Sequence, residues 1–133
     1  MPLVRIDLAR GKSPDYRQAI ADAVYEALRE AIQIPENDRF EIITEHERTH
    51  LIYDRHYLGI QRGEDFVVIQ IILRRGRTTP MKQDLYRRIT ERLRVAPGIA
   101  PADVFITLVE NGLDDWSFGD GVAQYVTPGQ SSA

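Results

Sequence analysis

The sequence predicts an α+β fold (an α/β two-layer arrangement) made from a duplicated βαβ unit, giving one four-stranded sheet with two helices on one face. Three observations carry this reading. Four short segments rich in β-branched residues alternate apolar with polar positions or run continuously apolar. Two longer segments between them repeat apolar residues at helical spacing. The junctions also recur. Ser13-Pro14 is matched by Thr79-Pro80, 66 positions on, and Ile34-Pro35-Glu36-Asn37-Asp38-Arg39-Phe40 by Ile99-Ala100-Pro101-Ala102-Asp103-Val104-Phe105, 65 positions on.

The elements follow in order. Leu3-Val4-Arg5-Ile6-Asp7-Leu8 alternates apolar and charged, which makes it a strand. After a Gly11-Lys12 turn, Ser13 is placed to cap a helix, Pro14 fits its first position, and Asp15 suits its positive end. Tyr16, Ile20, Ala23, Val24, Ala27, Leu28, Ala31 and Ile32 form the inward stripe, and Pro35 ends the helix. A second strand starts at Asp38 and runs through Ile43. Residues 44–64 are polar, contain all three histidines, and read as a long connection with a short strand at Leu51-Ile52-Tyr53. Phe66 to Leu73 is a nearly continuous apolar run, as expected for a strand covered on both faces or nearly so. Thr79-Pro80 repeats the helix-start chemistry, and Met81, Leu85, Ile89 and Leu93 form the second buried stripe. A last strand spans Ala102 to Val109. Right-handed crossovers make each β-helix-β pair parallel, which leaves one sheet face without helices; oligomerisation is the simplest cover for it. Residues 1–126 read as a single domain and 127–133, made of Thr, Pro, Gly, Gln, Ser and Ala, as a flexible tail.

Composition excludes several function classes. The net charge of -3 speaks against nucleic acid as a partner, because phosphate binding draws on surplus Lys and Arg. With no cysteine, disulfides and thiol catalysis are impossible. The start, Met1-Pro2-Leu3-Val4-Arg5, lacks the basic and apolar regions of a signal peptide, and no apolar run could span a bilayer, so the expected location is cytoplasmic, with no membrane partner. His46, His50 and His56, with Glu45 or Glu47, match no compact metal-ligand spacing. They are read as loop residues, and no metal is expected.

Two βαβ units, a proline directly after Met1, and Arg74-Arg75-Gly76-Arg77 after the third strand resemble the tautomerase superfamily. The likeness narrows at Glu110-Asn111-Gly112-Leu113-Asp114-Asp115-Trp116-Ser117-Phe118-Gly119, continuing to Tyr125, and at Pro35 to Phe40 and Val67 to Gln70. These segments are similar to the malonate semialdehyde decarboxylase group of long-chain members. The resemblance implies a cofactor-independent enzyme, assembled as a homotrimer, whose catalytic group is the amine of Pro2 once Met1 is removed. It implies a catalytic Asp38 and two carboxylate-binding arginines. Arg74 is the first; the second is Arg77, with Arg75 as the rival, because the run is one residue longer than the Arg-x-Arg of the group. It also implies that Trp116, Phe118 and Tyr125 wall the substrate site; core or interface packing is the alternative for these rings.

The chemistry is consistent with those residues. An α-amino group titrates at about 7.7–8.0, close to the range useful for acid–base work. Nearby arginines lower that value and favour the free base, whereas burial beside Asp38 raises it and favours the acid. Arginine forks grip carboxylates at two points, and the helix start at Thr79-Pro80 adds partial positive charge. The implied substrate is a small oxo or enol carboxylic acid. Keto–enol tautomerisation and decarboxylation of a 3-oxo acid such as malonate semialdehyde both remain open. A hydratase of unsaturated acids and a non-catalytic trimeric relative are the alternatives.

Overall fold

The structure is a computed structural model that describes residues 2–126. Strand β1 (Leu3–Ala9) leads into helix α1 (Pro14–Ile32) and strand β2 (Phe40–His46). A long connection with two short 3-10 turns follows. Then come β3 (Val67–Arg74), α2 (Thr79–Val95), a 3-10 turn at Pro101–Asp103, β4 (Val104–Asn111) and a last 3-10 turn at Leu113–Asp115. The sheet order is β2-β1-β3-β4. β1 and β2 are parallel, as are β3 and β4, while β1 and β3 meet antiparallel at the centre.

One sheet face is packed. Val4, Ile6 and Leu8 alternate inward on β1, and Val67, Ile69, Ile71 and Leu73 do so on β3. They meet Ile20, Val24, Ala27 and Leu28 of α1 and Leu85, Ile89 and Leu93 of α2 in one core cluster. Each fully buried side chain of this kind contributes on the order of 1.5–3 kcal/mol. Both helices therefore lie on one face. The opposite face is open, with Phe40, Ile42, Phe105 and Val109 each at least 41% exposed. Register places Phe40, Leu3, Ile72 and Val109 in a row across it.

The duplication is more regular than the sequence suggests. The second helix is capped by Thr78, not Thr79: Thr78 Oγ1 accepts from Met81 N at 3.3 Å, as Ser13 Oγ accepts from Tyr16 N at 3.1 Å. Pro80 thus occupies the second helical position, where a missing N–H also costs nothing. With Ser13 matched to Thr78, every equivalence falls at the Asp38–Asp103 offset of 65. Ile20 matches Leu85, Val24 matches Ile89 and Leu28 matches Leu93. Gly11 and Gly76 hold positive φ of 109° and 129° at matching turns. Arg5 pairs with Gln70, its own copy, so the two units are related by a pseudo-two-fold axis through that pair.

Three boundaries differ from expectation. Asp38 lies before β2, not in it, because a turn at Glu36-Asn37 delays the extended backbone to Phe40. The same applies to Ala102 and Asp103, which form a 3-10 turn before β4. Leu51-Ile52-Tyr53 forms no strand. Leu51 N–H turns back to Arg48 O at 3.3 Å instead of joining a ladder, Tyr53 stacks on Phe66 at 4.1 Å, and its hydroxyl donates to Gly63 O at 2.7 Å. The expected removal of Met1 and the flexible tail at 127–133 lie outside the described residues. Among the described residues no helix is long and apolar enough to cross a membrane.

Candidate active site

Pro2 is buried at the start of β1 and stands between two concavities. Toward the open sheet face it lines a cleft of about 420 Å³ with Leu3, Phe40, Ile72, Asn111, Trp116 and Phe118. Toward the helices it lines a crevice of about 10 Å³ with Val4, Tyr25, Leu28, Asp38 and Glu41. A larger furrow of about 510 Å³ runs between α1 and α2. It holds the ion pairs of Glu30 with Arg88 and Arg92 and none of the expected site residues, so size alone does not locate the chemistry.

The wall of the cleft is aromatic. After β4 the chain turns at Gly112, where Asp115 Oδ2 accepts from Gly112 N at 2.7 Å, and then crosses the sheet end. Trp116 and Phe118 stack with centroids 5.4 Å apart and 7° between planes. Tyr125 meets Phe118 edge-on at 5.1 Å, and Phe40 approaches Phe118 at 6.2 Å. The indole Nε1 of Trp116 donates to Asn111 Oδ1 at 2.8 Å, which fixes the ring's direction. Further along, Phe118 N and Gln124 Nε2 are tied through Gln124 Oε1 and Gly119 O, closing the segment on itself. Such rings exclude water and strengthen charge interactions beside them.

The arginines divide. Arg74 ends β3 on the open-face side, paired in register with Asn111 of the cleft. Arg77 is half-buried, and its Nη1 donates to Arg74 O at 3.1 Å. Burial, then the Arg74 charge, pulls the Arg77 guanidinium below its ordinary value, with Tyr125 and Glu110 opposing. Burial likewise pushes the Tyr125 phenol up, and the charges of Arg74 and Arg77 partly offset it. Those three residues therefore share one neighbourhood. Arg75 alternates to the other side, with Nη1 over the Gly112 turn beside Asp114 and Asp115. None of the three is in an ion pair among the described residues. Two cations in no ion pair among the described residues thus stand near an aromatic cleft, an arrangement that suits an anion.

Asp38 is placed by the Pro35 turn, its N–H donating to Pro35 O at 3.2 Å, and it reaches the helix-side crevice of Pro2. The structure thus brings Pro2 and Asp38 to one crevice, and Pro2, Trp116 and Phe118 to one cleft beside Arg74, Arg77 and Tyr125. Arg75 reaches the same end of the sheet from another side: its N–H donates to Asn111 O at 2.8 Å and its guanidinium lies at the Gly112 turn, next to Asp115, which also lines the cleft. Sequence reasoning passed over Phe40, Ile72 and Asn111, which reach the cleft only through cross-strand register, and Glu41. The histidines do not cluster. His46 closes β2, not a loop, and its Nε2 lies 2.6 Å from Asp7 Oδ1. No group of metal-ligating side chains occurs among the described residues.

Comparison with known proteins agrees with this fold. Two family models, each described as "Tautomerase enzyme", match residues 38–119 and 2–59. Probable tautomerase YusQ of Bacillus subtilis (strain 168) is 37% identical, covering 95% of this chain and 99% of that protein. Probable tautomerase YrdN of the same organism is also 37% identical, over 96% and 98%. Among solved structures, FG41 malonate semialdehyde decarboxylase inhibited by 3-bromopropiolate is 47% identical with a TM-score of 0.88, over 93% of this chain and 94% of that one. A second malonate semialdehyde decarboxylase, described with decarboxylase and hydratase activities, is 32% identical with a TM-score of 0.87, over 92% and 95%. A fused 4-OT described as a symmetric trimer shares the fold at 20% identity and a TM-score of 0.75, over 90% and 94%.

Proposed function

The chain belongs to the tautomerase family, and from that premise we propose that it is an enzyme acting on a small 3-oxo carboxylic acid of the malonate semialdehyde type, with the amine of Pro2 as its acid. One observation carries the reading. Pro2 lines both an aromatic cleft, with Arg74 and Arg77 near it in no ion pair among the described residues, and a crevice that Asp38, Glu41 and Arg39 share.

In this reading Arg74 and Arg77 bind the substrate carboxylate, and Phe40, Trp116 and Phe118 hold the carbon chain away from water. Protonated Pro2 hydrogen-bonds the 3-oxo oxygen. The bond between the carboxylate carbon and its neighbour then breaks, carbon dioxide leaves, and the electron pair passes into an enol whose oxygen takes the Pro2 proton. A proton from water then adds to the enol carbon while the enol oxygen returns its proton to Pro2, which gives the aldehyde and restores the start. Asp38 keeps the amine protonated by placing negative charge beside it. The mechanism requires that Met1 be removed.

A second reading has its own support, since the Bacillus relatives carry tautomerase names. A Pro2 free base, favoured by Arg74 and Arg77, would move the proton of an enol acid. Hydration of an unsaturated acid would use the same groups: Arg74 and Arg77 hold the carboxylate, water adds at C3 and gives up a proton, and protonated Pro2 delivers one to C2. We also propose that the chain assembles as a homotrimer, the state named for the fused 4-OT, and that the open sheet face is covered in it, since Phe40, Ile42, Phe105 and Val109 need cover there.

The test is turnover of malonate semialdehyde and phenylenolpyruvate by wild type beside Pro2→Ala, with intact mass to establish loss of Met1. Activity that falls as pH rises through the amine's pKa marks the acid, and the opposite limb marks the base. Equal rates for Pro2→Ala would end the proposal in both forms.

A further inference from the structure

The helix-side crevice contains a carboxylate that the mechanism above does not use. Glu41 follows Phe40 on β2 and pairs in register with Val4, so its side chain points inward, under Pro2. It is only 9% exposed. Its Oε1 accepts from Arg39 Nε at 2.5 Å, and its Oε2 is buried with no hydrogen-bond partner. A carboxylate oxygen in that condition is unusual, because desolvation is not repaid by a hydrogen bond. Burial pushes the Glu41 carboxyl up, and Arg39 opposes this by favouring the charged form.

The duplication supplies an internal control. Positions 39 and 41 correspond to Val104 and Ile106, 65 residues on, and the counterpart of Pro2 is Val67. This ion pair, buried at Glu41 and partly open at Arg39, therefore occurs only in the unit that carries the proline, and the other unit fills the same inward positions with aliphatic side chains. If Arg39 and Glu41 served only the sheet, either unit could hold them. Replacing such a pair by apolar residues is often neutral or stabilising, so stability does not account for it.

We propose that Glu41 is a positioning residue for the Pro2 amine, biasing that nitrogen toward its protonated form from the side opposite the substrate. The inference rests on Pro2 being the working amine. The groups around Glu41 are Arg39 and Asp38 just before its strand, Asp22 and Tyr25 on α1, and Pro2 just before β1. Arg39 binds Asp22 as well, at 2.6 Å, so Asp22 offsets part of the guanidinium charge and leaves the Glu41 charge less cancelled at the crevice. A crevice of about 10 Å³ has room for one water at most, so screening there is weak.

The experiment is titration of the Pro2 amine by ¹⁵N NMR in Met1-free protein, for wild type, Glu41→Gln, Glu41→Met and Asp22→Asn. Diagonal positions on one sheet face lie roughly 7 Å apart, and a unit charge at that distance moves a pKa by about one to two pH units at an effective dielectric near 20. Glu41→Gln and Glu41→Met should lower the midpoint by that amount, and the pH–rate profile should move with it. Asp22→Asn, on the solvent side of Arg39, should move it by less than about 0.3. A midpoint unchanged in the folded Glu41 variants overturns the proposal, as does an equal shift in Asp22→Asn, which would mean the effect travels through Arg39. A shift in the titration with no turnover of any acid would sink the enzymatic reading and leave this one standing; Pro2-dependent turnover with an unmoved titration would do the reverse. The Met variant keeps the test open if the Gln variant does not fold, since it leaves no unpaired buried polar atom.

Discussion

Replacing Arg77 by Gln and Arg75 by Gln separates the two candidates for the second carboxylate-binding arginine. Arg77 is half-buried between Arg74 and Tyr125, where a charge is little screened. A hydrogen bond to an ionised partner there is worth about 1.5–3 kcal/mol. At 1.36 kcal/mol per tenfold, Arg77→Gln should lower kcat/KM by roughly 10- to 150-fold. The loss should fall mainly on KM if Arg77 only holds the carboxylate, and on kcat as well if it orients the breaking bond. Arg75 lies over the Gly112 turn, near Asp114 and Asp115, and is exposed. Arg75→Gln should therefore change kcat/KM by less than about threefold. Steady-state kinetics on malonate semialdehyde read both. Because none of the three arginines is in an ion pair among the described residues, both variants should melt within about 2 °C of wild type. A larger loss in Arg75→Gln than in Arg77→Gln would refute the assignment of the anion site.

Further predictions concern the scaffold. Asp103 is 5% exposed and its Oδ1 accepts from Gly63 N at 2.5 Å, so Asp103→Ala should destabilise by about 1.5–3 kcal/mol, a fall of roughly 6–12 °C in calorimetric Tm; a fall under 2 °C would show that the loop needs no such anchor. Trp116→Phe removes the indole donor to Asn111 at 2.8 Å while keeping the stacking surface, and should raise KM by about 3- to 10-fold with little change in Tm, which progress curves at varied substrate would detect. Asp22 and Glu30 are held below the ordinary carboxylate range, first by hydrogen bonds from Arg39 and Arg92. A carboxyl lowered in the folded state adds stability above its unfolded value and loses it as pH falls, so Tm should drop below about pH 4.5 and this drop should shrink in high salt. A Tm independent of pH between 5 and 3 would contradict those ion pairs.

Much of the fold was readable because it rests on periodicity. Val4, Ile6 and Leu8 alternate, and Ile20, Val24 and Leu28 recur every four residues, whatever surrounds them. The errors occurred where local signals compete. Thr78 and Thr79 are adjacent and chemically equal, and only the hydrogen bond to Met81 N selects the first. Leu51-Ile52-Tyr53 has strand-like residues, but Phe66 offers Tyr53 a ring to stack on and no strand offers Leu51 a ladder. In the site, Pro2, Asp38, Arg74 and the Trp116 segment were recognisable as a set, since resemblance acts on linear motifs. Phe40, Ile72 and Asn111 were not, because the row that joins Phe40 to Leu3 and Ile72 exists only across three strands. Glu41 was hidden for another reason: on a strand it reads as a solvent-facing residue, and only its register with Val4 shows that it faces inward.

The pseudo-two-fold axis through Arg5 and Gln70 extends past the sheet. The 3-10 turn at Arg48–His50 corresponds to that at Leu113–Asp115, and Tyr53 to Phe118, both 65 residues on. Where Phe118 stands open over the cleft of Pro2, Tyr53 stacks on Phe66, which meets Phe105, the copy of Phe40, at 6.1 Å. The second unit thus repeats the architecture of the pocket but has a plug where a substrate would lie. The difference follows from covalent connectivity. A chain has one beginning, so a twofold design that relies on a terminal nitrogen can be used once per polypeptide; at Val67 the corresponding nitrogen is an amide with no basic lone pair. The second unit closes its cleft with packed rings, and Asp103, the twin of Asp38, holds a loop where its counterpart stands beside Pro2.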